Sequence, residues 1–178
     1  MKTLILCNSL YGDIESLSNL ISTMEYEDNV YGSEIKDFNF IPQGIDDQFK
    51  NYLSESIEVQ PNTGVFRKPN TMIHFEPFYQ HCLWVGIVAL EDTTLTLWEQ
   101  EKVKTIFDVP QEEMESFLLN NCNDQSKWVE TNKLNIKKNS FVFIRPWLWH
   151  SLEENKLVQV FLLNHKLENK EEDVGNNS

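Results

Sequence analysis

The near-continuous apolar run from Cys82 to Leu90 constrains the fold of this chain more than any other segment. A short run of this kind is typical of a strand buried on both faces. Thr93 and Thr94 interrupt the apolar pattern, and Leu95-Thr96-Leu97-Trp98 then predicts a returning hairpin strand. We therefore expect the middle of the chain to be β-structure.

Further short strands are predicted on both sides of this hairpin. They lie at residues 3–7, 57–59, 65–66, 72–76, 134–136, 140–144 and 157–163. Helical spacing of apolar residues predicts a helix after Asp13, a suitable N-cap, and a second helix over about 46–53. The rest of 25–55 is rich in turn signals, such as Asp28-Asn29 and Tyr31-Gly32. An acidic segment at 110–119, which begins with proline, predicts a third helix inserted among the strands.

Helices followed by many short strands predict a mainly β (α+β) fold: an antiparallel barrel or jelly roll with the N-terminal helices packed outside. A length of 178 residues favours one domain. We expect this domain to span residues 1–165, with a helical and turn region at 1–55 and the barrel at 56–165. The polar segment 166–178 predicts a flexible tail.

Charge and composition limit the possible partners. A net charge of −13 makes nucleic acid an unfavourable partner. No apolar run approaches the roughly 20 residues of a membrane helix, and the first eight residues do not resemble a signal peptide. Three widely spaced cysteines without a C-x-x-C pair are typical of a reducing compartment. We therefore expect a cytoplasmic protein that does not bind membranes.

The triplet His74-Phe75-Glu76 and the distant His150 form a candidate metal site. Side chains two apart on a strand point to the same face, so His74 and Glu76 would face one point. Pro77 favours the extended backbone that this requires. With His150 they would make a set of two imidazoles and one carboxylate, which suits non-haem Fe(II). An H-x-E triplet is a weak signal alone, and an ordinary packed histidine at the barrel rim is the alternative for His150.

The stretch from Val65 to Asn164 resembles the Fe(II)/2-oxoglutarate-dependent oxygenase superfamily, especially the small members found in bacteriophages of marine bacteria. The order of five segments carries the resemblance: Ile73-His74-Phe75-Glu76, the run from Trp84 to Leu90, Leu95-Thr96-Leu97-Trp98, the run from Phe143 to Ser151, and the run from Lys156 to Leu163. The resemblance implies a double-stranded β-helix, a cupin-like jelly roll, with N-terminal helices.

The same resemblance implies a function and cofactors. It implies that Fe(II) is held by His74, Glu76 and His150, and that 2-oxoglutarate is the co-substrate. Lys156 falls on the position that pairs with the far carboxylate of 2-oxoglutarate, and Arg145 could replace it if its side chain points inward. The activity implied is hydroxylation of an unidentified substrate, a small molecule or a protein. A phage-encoded member would act in the host cytoplasm or in the virion.

Several alternatives remain open at this point. His81, Trp147 and Trp149 are weak candidates for substrate contacts, and ordinary packing roles suit them equally well. The same β-helix could be a catalytically inactive binding or structural module that engages a protein partner. A cupin-like isomerase or sensor with the same three metal ligands is a third possibility. The sequence does not indicate an oligomeric state.

Overall fold

A computed structural model describes residues 4–76 and 82–166 of the protein. The strands of the described residues are β1 Leu4–Cys7, β2 Tyr26–Asn29, β3 Gly32–Asn39, β4 Ile57–Val59, β5 Val65–Pro69, β6 Cys82–Ala89, β7 Thr93–Glu99, β8 Val129–Ile136, β9 Phe141–Ile144, β10 His150–Leu152 and β11 Val158–His165. The α-helices are α1 Ile14–Ser22, α2 Ile45–Leu53 and α3 Met114–Asn121, and short 3-10 turns lie at Ile106–Asp108, Gln111–Glu113 and Gln125–Lys127.

The strands form two antiparallel sheets. The larger sheet has the order β1-β9-β6-β11-β5-β3-β2, and β4 pairs with β11 beside this path. The smaller sheet has the order β10-β7-β8. β6, the strand predicted from the apolar run, lies between β9 and β11 and is buried along almost its whole length. Its side chains point alternately to the two faces of the larger sheet.

Alternating side chains of the larger sheet pack into two different cores. Val142 and Ile144 of β9 belong to an inner cluster together with Leu95 and Ile136 of the smaller sheet. Phe141 and Phe143 face the other way and pack around Phe49 of α2. The two-residue period of β9 thus separates the inner cluster from a helix-covered outer face.

This architecture confirms the predicted fold class, a mainly β jelly roll with N-terminal helices outside. Asp13 caps α1 as expected, since its carboxylate accepts the backbone N–H of Ser16 at 3.0 Å. α2 begins at Ile45 and buries Ile45, Phe49 and Leu53, the apolar side predicted for it. The division into residues 1–55 and 56–165 stays a prediction, and of the predicted tail 166–178 all but Lys166 lies outside the described residues.

Residues 26–39 differ from the expected turns, because they form the hairpin of β2 and β3 at an edge of the larger sheet. The turn signals mark the tip of this hairpin, where Gly32 has φ +132°. The strands themselves are polar and largely exposed, so they lack the apolar alternation by which strands are recognised. Among the described residues, no helix has the length and apolar character needed to span a membrane.

Candidate metal centre

The backbone brings His74 and His150 together directly. The segment that holds His74 runs antiparallel to the start of β10. The backbone N–H of His74 donates to the carbonyl of His150 at 2.8 Å, and the backbone N–H of His150 donates to the carbonyl of His74 at 2.9 Å. The two imidazole rings lie 4.4 Å apart between centroids. Residues 76 positions apart in the sequence are therefore neighbours, as the motif predicts.

Both imidazoles are oriented by hydrogen bonds to backbone carbonyls. His74 Nδ1 lies 3.0 Å from the carbonyl oxygen of Met72, and His150 Nδ1 lies 3.0 Å from that of Leu148. A carbonyl only accepts, so Nδ1 carries the hydrogen in each ring and Nε2 presents its lone pair. Metal-binding histidines are commonly fixed in this way.

The carboxylate of Glu76 faces both lone pairs. Glu76 Oε1 lies 3.3 Å from His74 Nε2 and 3.8 Å from His150 Nε2. The ligand atoms of the three residues all lie within 4.8 Å of one another, and all three residues are buried. Phe75 points to the opposite face and packs edge-on against Trp149, as strand alternation requires. The cluster thus presents three acceptor atoms to one point, which favours a cation there.

Arg67 of β5 supplies a positive charge beside this cluster. Its Nη1 lies 2.7 Å from Glu76 Oε1 and its Nε lies 2.6 Å from Glu34 Oε1. The guanidinium also stacks on the ring of Tyr31 at 4.3 Å. Arg67 is 3% exposed, so it is a buried cation shared by two carboxylates.

The protonation states of the cluster follow from burial and these neighbours. Burial would raise the pKa of Glu76, but the neighbouring Arg67 guanidinium outweighs it and holds this pKa well below its ordinary value. Burial and then the neighbouring His150 lower the pKa of His74. Glu76 is therefore ionised and His74 neutral at pH 7, which are the forms that bind metal ions.

Two cavities flank the cluster. One, of about 240 Å³, is lined by Arg67, Glu76 and Glu34 together with side chains of β11. The other, of about 280 Å³, has His74 in its wall and lies against α3. Tyr31, at the tip of the β2–β3 hairpin, lines both cavities and packs on the His74 ring at 5.1 Å. Burial, and next the charge of Glu76, raise the pKa of Tyr31 to about 12.

The structure does not bring Lys156 or Arg145 to the cluster. Lys156 lies in the turn between β10 and β11, close to Asp92, which directly precedes β7. His150 pairs with Leu97, near the other end of β7. Arg145 shares the face of Phe143, as alternation from β9 predicts, and that face is the outer one. Its guanidinium stacks on Trp84 at 3.6 Å and donates to the carbonyl of Leu83. A role for either residue in binding 2-oxoglutarate stays a prediction.

Of the three weaker candidates, Trp149 and Trp147 lie within the described residues. Trp149 is buried among Phe75, Phe117 and Trp128, on the side opposite His74 and Glu76. Trp147 packs against Phe107. His81 lies outside the described residues.

Arg67, Tyr31 and Glu34 belong to the site but were not predicted from the sequence. Only Arg67 carries a signal that sequence reasoning could have used. It is one of two arginines in the chain, and in Val65-Phe66-Arg67 it lies two residues after Val65. Strand alternation therefore places its side chain on the same face as that apolar residue. A charge at such a position is expected to be buried with a partner.

Comparison with known proteins shows the fold. HygX from Streptomyces hygroscopicus, solved with nickel, 2-oxoglutarate and hygromycin B bound, is 9% identical and has a TM-score of 0.55, over 93% of this chain and 84% of HygX. SnoN, a non-heme alpha-ketoglutarate-dependent epimerase from nogalamycin biosynthesis, is 11% identical with a TM-score of 0.55, over 92% of this chain and 76% of SnoN. No family model matches the chain, and no curated protein does so at a significant level. The protein thus shares its jelly-roll fold with HygX and SnoN.

Proposed function

We propose that the protein is an Fe(II)- and 2-oxoglutarate-dependent oxygenase that hydroxylates a small-molecule or protein substrate. The observation that carries the proposal is His150 Nε2, a fully buried acceptor without a hydrogen-bond partner among the described residues, aimed at the same point as His74 and Glu76. An unsatisfied buried polar atom is costly, and a metal ion at this point would satisfy it. The ligand set of two imidazoles and one carboxylate suits Fe(II).

In this proposal each residue of the site has a separate role. His74, His150 and Glu76 would hold the ion, and the carbonyls of Met72 and Leu148 keep both imidazoles in the required tautomer. Fe(II) together with 2-oxoglutarate would supply the activation of O₂ and the oxidation of the substrate. Burial of all three ligands keeps bulk water from the ion.

The co-substrate is best placed in the cavity that Arg67 shares with Glu76. A guanidinium binds a carboxylate with two parallel hydrogen bonds, and Arg67 lies in the wall of the cavity next to the candidate metal ligands. It is paired in register with Val158 of β11 and shares the inner face with Val65 and Val160. Arg67 Nη2 contacts Glu76 Oε2 only at 3.5 Å, so it would be the donor available to the far carboxylate of 2-oxoglutarate.

Ligand binding without oxygen tests the proposal. Anaerobic Fe(II) with 2-oxoglutarate is expected to give the weak visible charge-transfer band of the chelate, and Arg67→Met is expected to raise the 2-oxoglutarate concentration needed for it. His150→Ala is expected to weaken Mn(II) binding, measured by calorimetry, by at least about 100-fold. The matched control is His165→Ala, which removes an exposed histidine far from the cluster. Folded protein that gives no band and binds no metal would refute the proposal.

A second candidate function is a catalytically inactive module that engages a protein partner. The Arg67–Glu76 ion pair favours it, because the guanidinium neutralises the carboxylate without any metal. The two candidates differ in metal affinity: the module would bind a partner equally well after His74→Ala, whereas the oxygenase would lose its metal. An isomerase or sensor with the same ligands is separated from the oxygenase by the absence of succinate formation. The cytoplasmic and phage assignments stay predictions.

A further inference from the structure

The cavity on the α3 side of His74 has an almost entirely apolar wall. Six of the nine residues that line it carry apolar side chains or a thiol: Val30, Met72, Ile73, Leu118, Leu119 and Cys122. The others are Tyr31, His74 and Asn123, and no Asp, Glu, Lys or Arg of the described residues lines it. In a chain with a net charge of −13, a wall free of charged groups is a distinctive environment.

Two elements form the rim of this cavity. Val30 at the tip of the β2–β3 hairpin is 61% exposed, and Leu119 of α3 is 76% exposed. Both belong to the small set of large apolar side chains that the described residues expose, and both line the same cavity. Neighbouring exposed apolar side chains mark binding sites more often than isolated ones do.

The cavity also borders the candidate metal centre, because His74 is part of its wall. Tyr31 lies between it and the cavity that holds Arg67. A ligand on the α3 side is thereby separated from the buried carboxylates and the guanidinium on the other side. 2-Oxoglutarate in the cavity with Arg67 and an apolar ligand in the α3-side cavity would thus lie on opposite sides of Tyr31.

We propose that this cavity binds the group of the substrate that reacts, and that this group is neutral and rich in hydrocarbon, such as a substituted aromatic ring. An apolar cavity of about 150 Å³ holds a benzene molecule, so a volume of about 280 Å³ accommodates a ring with several substituents. Charged or polyhydroxylated groups are disfavoured, because the wall offers them few hydrogen bonds. The substrate role rests on the proposed oxygenase function, whereas the apolar preference is a property of the cavity alone.

The first test measures the cavity without metal. In EDTA, p-cresol at millimolar concentration is expected to show saturation transfer from the protein in NMR spectra, and methyl glucoside at the same concentration is expected to show none. Leu119→Gln should weaken p-cresol binding at least about five-fold, since it removes part of the apolar wall. Leu20→Gln is the matched control, because Leu20 is an exposed leucine of α1, which packs against the outer cluster.

The second test places the cavity beside the metal. Mn(II) bound to the cluster is expected to accelerate the proton relaxation of bound p-cresol in wild-type protein and not in His150→Ala. Water-proton relaxation reports separately whether Mn(II) binds. No saturation transfer from p-cresol, an equal signal from methyl glucoside, or no effect of Leu119→Gln would overturn the apolar cavity. Bound Mn(II) that leaves p-cresol relaxation unchanged would overturn the substrate role, whereas failure of Mn(II) to bind would overturn the proposed function itself.

Discussion

Arg67 balances the charge of the candidate metal centre. Replacing it by methionine leaves the buried carboxylate of Glu76 without its cation, and Glu34 loses a partner as well. We expect Arg67→Met to lower the free energy of unfolding by about 3–5 kcal/mol in EDTA, the range for breaking a buried ion pair by removing one partner. Denaturant titration measures this.

Saturating Mn(II) should restore more stability to Arg67→Met than it adds to the wild type, because the ion gives Glu76 a new counter-charge. The double variant Arg67→Met/Glu76→Gln is the control, since it removes both charges of the pair and should lose less stability than Arg67→Met alone. Equal stabilisation of both proteins by Mn(II) would contradict a metal on Glu76.

His74 makes the metal-free protein sensitive to acid. Burial and the neighbouring His150 lower its pKa in the folded state. Below the ordinary imidazole value of 6.5 the unfolded chain therefore binds a proton that the folded protein does not, and the free energy of unfolding falls as the pH falls. Glu76 adds only a small slope between pH 6.5 and 5, since its lowered pKa keeps it ionised there and an ordinary carboxyl is largely ionised as well.

We therefore expect the wild-type free energy of unfolding in EDTA to decline between pH 6.5 and 5 by up to about 1.4 kcal/mol per pH unit from this one residue. His74→Gln should remove that part of the slope, whereas His165→Gln, at an exposed position, should keep it. Urea titrations at several pH values provide the measurement. A slope unchanged by His74→Gln would show that His74 does not titrate as its burial requires.

At the scale of elements, the β2–β3 hairpin depends on Gly32. This residue has φ +132°, and a Cβ placed on it would lie 2.2 Å from the carbonyl oxygen of Lys68. Gly32→Ala should therefore cost about 2–3 kcal/mol, from backbone strain and steric conflict together. Because β2 is an edge strand, we expect the loss to appear first as faster hydrogen exchange at β2 and β3.

Gly12→Ala is the matched control for this substitution. Gly12 has an ordinary φ, and a Cβ placed on it meets nothing within 4 Å, so the change in stability should stay within about 0.5 kcal/mol. Slower or unchanged exchange of the hairpin amides in Gly32→Ala would show that the close approach of β3 and β5 does not hold the hairpin in place.

The elements that the sequence predicted are those with either a continuous apolar run or a clear apolar period. β6 and β9 are buried on both faces, and the apolar side of α2 faces one cluster, so composition and spacing identify them. The β2–β3 hairpin was not predicted, because its strands consist mainly of polar residues and lack an apolar alternation. The position of Arg67 opposite Glu76 was not predicted either, since contact between β5 and the segment after it depends on how the chain turns between them.

At the scale of the whole molecule, Glu76 connects the two sheets. The Glu76 carboxylate forms an ion pair with Arg67 of the larger sheet. A metal ion would link the same carboxylate to His150 of the smaller sheet. The backbone hydrogen bonds between His74 and His150 already hold the segment of Glu76 against β10. Binding of a metal ion at this cluster would thus be coupled to the packing of the two layers and not only to local order.

This coupling predicts the thermal behaviour of the whole protein. A ligand that binds only the folded state stabilises it by about 2.7 kcal/mol at 100 times its Kd. For a chain of this length, that corresponds to a rise of roughly 5–10 °C in the unfolding midpoint. Calorimetry with Mn(II) should show this rise as a single cooperative transition in the wild type and in His165→Ala. His150→Ala should need an Mn(II) concentration at least about 100-fold higher for the same rise, because it binds the ion more weakly. An equal rise in this variant at equal Mn(II) concentration would place the bound ion away from the cluster.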